Sequence, residues 1–246
     1  MSSEKSIIVA EDGPYVVRGG VPLLHKLQVV SEHGEPLTWR KGDRLEAGET
    51  YALCRCGQSR EQPFCDGAHS TVDFDGTETA DTGLTADRQR LYPRGTHIAA
   101  KFDSHLCMGA GFCANRLSGI GDLVPGTADT SVRSQVIAMI ERCPSGALTY
   151  AVEEDEPDIE PDLPQQVAVV TEITGEGPIT GSLWVTGGIP IERADGEMLE
   201  TRNRVTLCGC GRSRSMPLCD GTHRARGRRS NPAPSPTPGR RNCPLR

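Results

Sequence analysis

The 246-residue chain has few apolar side chains with which to build a core. Hydrophobic residues make up 36% of the sequence and aromatic residues only 4%, which is low for one large hydrophobic core. Small modules that are each held together by a metal centre suit such a composition. No apolar run approaches the ~18 residues of a membrane span, and the N-terminal residues 1–5 lack the apolar segment of a signal peptide. We therefore expect several small modules and no membrane segment.

The sequence also lacks the signatures of self-contained catalysis. It has no hydrolytic triad motif, no phosphate-binding loop and no dinucleotide fingerprint. The net charge of −6 argues against nucleic acid as a general partner. Cysteines in metal-type spacing without an export signal are typical of a reducing cytoplasm. We expect a cytoplasmic carrier protein that is not an enzyme and has no catalytic residues.

Cysteine, in contrast, is abundant, and six of the ten cysteines fall into two copies of one motif. The motif is C-x-C-x8-C-x3-H, and ten of its sixteen positions are identical in the two copies. The candidate ligands are Cys54, Cys56, Cys65 and His69 in the first copy and Cys208, Cys210, Cys219 and His223 in the second. Two copies with one spacing are a strong indication of metal binding.

The residue types leave three kinds of centre open: an iron–sulfur cluster, a zinc site with three cysteines and one histidine, and a disulfide knot. The C-x-C spacing is tighter than the usual spacing of paired zinc ligands. In an extended segment the side chains of Cys54 and Cys56 point to the same side, so this pair suits one iron of a 2Fe-2S cluster. A helix capped by Asp66 would bring His69 back over Cys65 to hold the other iron.

Further residues of both copies resemble the CDGSH iron–sulfur (mitoNEET-like) family. The shared pattern is C-x-C-G-x-S-x3-P-[FL]-C-D-G-x-H, with Ala68 or Thr222 where the family name has serine. The resemblance implies two 2Fe-2S clusters, each bound by three cysteines and one histidine. It also implies that two such motifs lie side by side under a small β-cap, an arrangement that a chain with two motifs can complete by itself.

A third group of cysteines lies between the two motifs. Cys107 and Cys113 enclose a Gly-rich loop, Cys143 precedes a proline, and apolar residues at helical spacing occupy 132–142 between them. A short strand is predicted over 97–103. The order strand, cysteine loop, helix, Cys-Pro, strand is one half of a ferredoxin-like unit.

Residues 97–151 accordingly resemble single-cluster bacterial ferredoxins. Ordinary four-iron members have a further cysteine in the first loop, where this chain has Ala110. The resemblance therefore implies a 3Fe-4S cluster, or a 4Fe-4S cluster whose fourth iron takes a non-cysteine ligand. His105 and Asp103 are nearby candidates for that ligand.

We predict an α+β fold of small cluster-stapled modules. Two CDGSH-type β-cap motifs form a pseudo-dimer, with a half-ferredoxin-like βαβ lobe between them. The predicted division is a first CDGSH domain at 1–75, a linker at 76–96, a ferredoxin-like domain at 97–151, an acidic linker at 152–165, a second CDGSH domain at 166–225 and a disordered tail at 226–246.

Three further predictions concern packing. The first copy has fourteen more residues than the second between its Gly-Gly turn and its C-x-C, so Leu23–Thr50 should contain a loop insertion. Trp39 and Trp184 are predicted to anchor the core. Cys243 has no partner set and is predicted to be a free thiol.

The ligand count favours a protein with three clusters. Nine cysteines and two histidines fill the three ligand sets. We predict electron transfer with a redox partner protein, with cluster storage, delivery to an apo iron–sulfur acceptor or redox sensing as the alternative, and a structural zinc module as a second alternative. We expect a monomer with an internal pseudo-dimer and no nucleic-acid or membrane partner.

Overall fold

The computed structural model describes residues 4–227. In that range the fold is mixed α+β, mostly strands with few helices, as predicted. The strands are β1 (Ser6–Val9), β2 (Tyr15–Arg18), β3 (Leu23–Val30), β4 (Pro36–Leu45), β5 (Thr50–Leu53), β6 (Arg90–Leu91), β7 (Ala99–Phe102), β8 (Leu148–Ala151), β9 (Gln166–Thr174), β10 (Gly177–Thr186), β11 (Ile191–Glu192) and β12 (Arg204–Leu207). The α-helices are α1 (Thr85–Arg88), α2 (Ile120–Leu123) and α3 (Thr130–Glu141). Cys243 and the predicted tail beyond residue 227 lie outside the described residues.

The two halves of the repeat build two sheets of corresponding order. One sheet has the order β11-β1-β2-β5 and the other β12-β10-β9-β3-β4. In each sheet, the strand after a Gly-Gly-x-Pro turn crosses to the other half and pairs in parallel, β11 with β1 and β3 with β9. Equivalent hydrogen bonds of 2.9 Å accompany the crossings, from Ile7 N to Pro190 O and from Val167 N to Pro22 O. Main-chain bonds therefore connect the N- and C-terminal halves at both sheets.

The residue types explain this exchange of strands. In β2, the side chains of Tyr15 and Val17 alternate with more exposed ones and are fully buried, the pattern of a strand with one face on a core. Gly19 and Gly20 follow with φ of 82° and 62°. Glycine enters this region without the strain that a Cβ would cause, so the pair turns the chain from one sheet into the other.

The insertion in the first half is a hairpin rather than the predicted loop. β3 and β4 pair in antiparallel fashion, and the turn between them is closed by a 2.9 Å hydrogen bond from Ser31 N to Glu35 O. Trp39 on β4 packs against Trp184 and Phe112, with ring centroids 5.5 and 5.1 Å apart. The inserted hairpin therefore covers part of the central cysteine segment, because Phe112 belongs to the loop before Cys113.

The central segment has the predicted order of β7, cysteine loop, α3, Cys-Pro and β8, within the sheet β6-β7-β8. It is not the separate lobe that the sequence predicts, because one continuous apolar core includes buried residues from this segment and from both repeats. Ile140 of α3, Val17 and Leu207 all belong to that core. None of the helices within residues 4–227 is long and apolar enough to cross a membrane.

The two predicted linkers are bound to this body at several points. The main-chain N–H groups of Thr79 and Ala80 both donate to Met216 O at 2.8 Å. In the acidic segment, Glu160 lies 3.0 Å from the fully buried Arg204. Segments 76–96 and 152–165 are therefore more closely packed than the solvated spacers that their composition predicts.

The N-cap of α3 gives a first testable prediction. The carboxylate of Asp129 accepts hydrogen bonds from the N–H and hydroxyl of Ser131, both at 2.7 Å, and these bonds lower its pKa. We expect Asp129→Ala to lower the melting midpoint by ~2–4 °C at one fixed heating rate, because α3 loses its N-cap. Asp129→Ser should restore most of the loss because serine also caps helices. Equal melting of the alanine and serine variants would contradict the capping role.

Candidate metal centres

The first motif presents Cys54 and Cys56 directly after β5. Both residues are buried, and their Sγ atoms lie 3.8 Å apart. The N–H of Gly57 donates to Cys54 Sγ at 3.3 Å, a contact that stabilises a thiolate. The predicted same-side arrangement of the two sulfurs is therefore present.

Cys65 and His69 form the second pair of this motif. Cys65 Sγ lies 3.4 Å from His69 Nδ1. The carboxylate of Asp66 accepts from Arg60 N at 2.9 Å and from Ala68 N at 3.0 Å, and these backbone hydrogen bonds lower the pKa of Asp66. The helix that carries the histidine is a short 3-10 helix at Ala68–Ser70, and its N-cap is Gly67 rather than the predicted Asp66.

The second motif repeats this geometry. Cys208 Sγ and Cys210 Sγ are 3.7 Å apart, and Cys219 Sγ is 3.4 Å from His223 Nδ1. A hydrogen bond from Cys210 lowers the pKa of Cys208 to about 6, whereas burial raises the pKa of Cys219. The hydroxyl of Tyr15 donates to Cys208 O at 2.9 Å, so a residue of the first half supports the second motif.

The two motifs touch each other through their glycines. A Cβ atom placed on Gly57 would lie 2.7 Å from Cys210 O, and one on Gly211 would come closer still to Cys56 O. Each glycine thus lies against the backbone of a candidate ligand of the other motif. The close approach requires glycine, since other residues would need the backbones to separate.

The three central cysteines line a cavity of about 580 Å³. Gly109 and Gly111 have φ of 69° and 85° and wrap the loop between Cys107 and Cys113 around this space. Cys143 follows the end of α3 and completes the cysteine set on the cavity wall.

Neither predicted candidate for a fourth ligand lines this cavity. Asp103 is buried and accepts two hydrogen bonds from Arg88, from Nε at 3.1 Å and from Nη2 at 2.9 Å. His105 Nδ1 faces Asp103 at 3.3 Å. The expectation that one of them serves the central centre is wrong for this arrangement, because their polar atoms are directed to each other and to Arg88.

The same cavity wall includes residues of the second motif, namely Asp220, Gly221 and Arg224. Arg224 Nη1 donates to Met108 O, and a Cβ on Gly221 would collide with that same carbonyl. The central loop therefore lies directly on the turn that carries His223. Sequence spacing gives no sign of this contact, since more than a hundred residues separate the two turns.

Glu172 is a further site residue that sequence reasoning missed. It is 1% exposed on β9, and its Oε1 lies 3.1 Å from His223 Nε2. Its Oε2 forms an ion pair with Arg224 Nε at 2.5 Å. Burial raises the pKa of Glu172, but the contacts with His223 and Arg224 lower it on balance. The signal that could have pointed to Glu172 is an acidic residue in a strand whose buried neighbours are apolar.

The donor set fits iron–sulfur clusters. Thiolates and imidazole are cluster ligands, and each repeat presents two close donor pairs rather than one group. Among residues 4–227, no three His, Cys, Asp or Glu side chains are grouped so as to hold a single metal ion. The main-chain N–H groups of Gly57 and Gly67, at 3.3 and 3.4 Å from Cys54 Sγ and Cys65 Sγ, are the kind of donors that surround cluster sulfurs.

Comparison with known families agrees with this geometry. The family model described as an iron-binding zinc finger of CDGSH type matches residues 12–70 and 180–224. A second model, described as a divergent 4Fe-4S mono-cluster, matches residues 94–153. The chain is an iron–sulfur-binding protein of CDGSH type with a 4Fe-4S-like region. CDGSH domains bind 2Fe-2S clusters, and the matched regions contain the three predicted cysteine sets.

Individual relatives match only a short stretch of the chain. The chain is 64% identical over 25 residues to CDGSH iron-sulfur domain-containing protein 3, mitochondrial, of Homo sapiens, and equally to that of Mus musculus. The match covers 10% of this CDGSH-type chain and spans only 20% and 18% of the two relatives. No solved structure matches the chain significantly.

Proposed function

We propose that the protein is an electron carrier with three clusters. One 2Fe-2S cluster is held by Cys54, Cys56, Cys65 and His69, and a second by Cys208, Cys210, Cys219 and His223. A 3Fe-4S or 4Fe-4S cluster is held by Cys107, Cys113 and Cys143. When bound, the clusters accept and release single electrons, and the chain supplies ligands, hydrogen bonds and partial burial. We assign no catalytic residue to the chain.

Donor pairing supports 2Fe-2S clusters over structural zinc. A zinc ion requires all four ligands within about 2.0–2.3 Å of one point. Among residues 4–227, no three candidate ligands are grouped around one point in this way. Each repeat offers two separate pairs, a sulfur–sulfur pair at 3.7–3.8 Å and a sulfur–imidazole pair at 3.4 Å. Two pairs match two irons, with one pair for each iron.

The observation that carries electron transfer is the continuity of the three sites. Gly57 and Gly211 bring the two CDGSH motifs into backbone contact beside Cys210 and Cys56. Met108, next to Cys107, lies against Gly221 of the second motif. Clusters on these ligands would follow one another with no intervening element, as a relay requires. The same contacts support the proposed pseudo-dimer of the two motifs within one chain, and hence a monomer.

Cluster storage, delivery or sensing is the second candidate. Cys65 and His69 are half-buried, whereas Cys219 and His223 are 3% and 2% exposed. An accessible ligand pair favours exchange with an apo iron–sulfur acceptor. A redox partner, the absence of nucleic-acid and membrane partners, and a cytoplasmic location stay predictions.

Two assays on one preparation separate these functions. In the first, the protein reduced with substoichiometric dithionite is mixed with oxidised cytochrome c, and in the second the oxidised protein is incubated with an apo-ferredoxin. We expect electrons to pass to cytochrome c in seconds, faster than any cluster moves to apo-ferredoxin. Cluster transfer to apo-ferredoxin without electron transfer to cytochrome c would favour delivery and contradict the carrier function.

A further inference from the structure

The two CDGSH motifs share their ligand geometry but differ in what covers the histidine. In the second half, β9 and β10 continue as a hairpin to the pair Thr174–Gly177. In the first half, the equivalent strands β1 and β2 end at the pair Val9–Tyr15. The longer hairpin reaches across the second motif and brings Glu172 to His223. Among residues 4–227, the first motif has no corresponding extension of its hairpin.

The carboxylate of Glu172 fixes the orientation of His223. A proton on Nε2, donated to Oε1 over 3.1 Å, leaves the lone pair of Nδ1 free for a metal. Nδ1 faces Cys219 Sγ at 3.4 Å. Carboxylates in this position hold a ligand histidine in place and raise its basicity. Arg224 occupies the other carboxylate oxygen, so Glu172 cannot turn away without breaking an ion pair of 2.5 Å.

Space for this carboxylate is made by a glycine. A Cβ on Gly181 would lie 2.8 Å from Glu172 Oε1. Gly181 is situated where the pairing of β9 with β10 shifts register, between Thr180 and Leu183. The bulge and the glycine together admit a buried acidic side chain into a strand whose other buried residues, at 167–170, are apolar.

The first motif offers no counterpart among residues 4–227. Asp12 stands three residues after Val9, as Glu172 stands three after the equivalent Val169. Its Oδ1 instead accepts from Gly76 N at 2.9 Å. In the described part of the chain, the His69 ring contacts Cys65 Sγ through Nδ1, and both residues are half-buried.

We propose that Glu172 is a positioning residue that makes the two CDGSH centres unequal. The second centre is retained by the Glu172–His223–Arg224 contacts, and the first, at Cys65 and His69, is the one that exchanges its cluster with other molecules. This inference rests on the proposed 2Fe-2S ligand sets. It assigns electron relay and cluster exchange to different centres of one chain.

The test is release of cluster iron to EDTA at one fixed pH. Samples are withdrawn with time and reduced with dithionite, and the 2Fe-2S spins are counted by EPR. We expect two phases of equal size whose rates differ roughly 10-fold or more. His69→Ala should lack the fast phase and His223→Ala the slow phase. Glu172→Ala should accelerate the slow phase roughly 10-fold and leave the fast phase unchanged.

Conservative variants separate positioning from general destabilisation. Glu172→Gln keeps an oxygen acceptor for Nε2 and should restore part of the slow rate. Asp12→Asn, the matched change in the first half, should alter neither phase. A single release rate for both centres, or acceleration of the fast phase by Glu172→Ala or Glu172→Gln, would overturn the inference alone. Absence of any 2Fe-2S signal from wild type would overturn the proposed function and the inference together.

Discussion

Gly211→Ala should lower the melting midpoint of the protein by ~10 °C and reduce its iron content. A left-handed φ costs a non-glycine residue about 1–2 kcal/mol, and Gly211 has φ of 72°. The added Cβ would also meet the Cys56 backbone of the other motif, and overpacking of this kind costs about 1–3 kcal/mol. The sum of about 2–5 kcal/mol corresponds to ~10 °C for a chain of this size. Gly57→Ala should give a similar fall in the melting midpoint, because its added Cβ would meet Cys210 O.

Gly67→Ala is the matched control for this prediction. Gly67 has φ of 86°, but a Cβ there would meet nothing within 4 Å. It should therefore show only the cost of strain, ~2–6 °C, and keep its iron. Midpoints are read from far-ultraviolet circular dichroism at one heating rate, with iron assayed by colorimetry. Equal losses in the three variants would show that the two motifs do not pack against each other as described.

Arg204→Met should destabilise the protein by about 3–5 kcal/mol, because it removes three hydrogen bonds from a buried side chain, each worth about 1–1.5 kcal/mol. The guanidinium is fully buried and donates to the carbonyl oxygens of Ile140, Glu141 and Leu148 at 3.1, 2.6 and 3.1 Å. It also pairs with Glu160 at 3.0 Å. Methionine would fill the space but supply none of these hydrogen bonds. The expected fall in the melting midpoint is ~10 °C.

Arg44→Met serves as the control, because Arg44 is exposed on β4. A surface change of this kind stays within about 0.5 kcal/mol. The comparison also tests the shared core, since Arg204 belongs to the second repeat and its acceptors to the central segment. If Arg204→Met melts like Arg44→Met, the central segment does not depend on the second repeat for its stability.

The parts of the site that sequence predicted well are local. Cys54 and Cys56 are separated by one residue directly after β5, and their Sγ atoms lie 3.8 Å apart on the same side, as the short spacing predicts. Glycines and histidines at fixed short offsets from the cysteines carry the rest of the pattern.

What sequence could not predict depends on tertiary contact. The Glu172–His223 pair joins residues 51 positions apart, and Trp39 donates to Arg142 O across 103 positions. The composition of residues 76–96 predicts a linker, although Arg88 of this segment forms an ion pair with the buried Asp103. Asp103 itself was expected at the central cluster. Polar residues near cysteines are ligands or structural partners according to where the fold directs them, which spacing does not encode.

The central claim, that one chain holds three contiguous iron–sulfur centres, is tested most directly by metal and sulfide analysis of anaerobically purified protein. We predict about seven or eight irons and about eight acid-labile sulfides per chain, from the stoichiometries of two 2Fe-2S clusters and one 3Fe-4S or 4Fe-4S cluster. Cys143→Ala should leave about four of each, with the 2Fe-2S EPR signals intact. A colourless protein with about three zinc ions and no acid-labile sulfide would contradict the account.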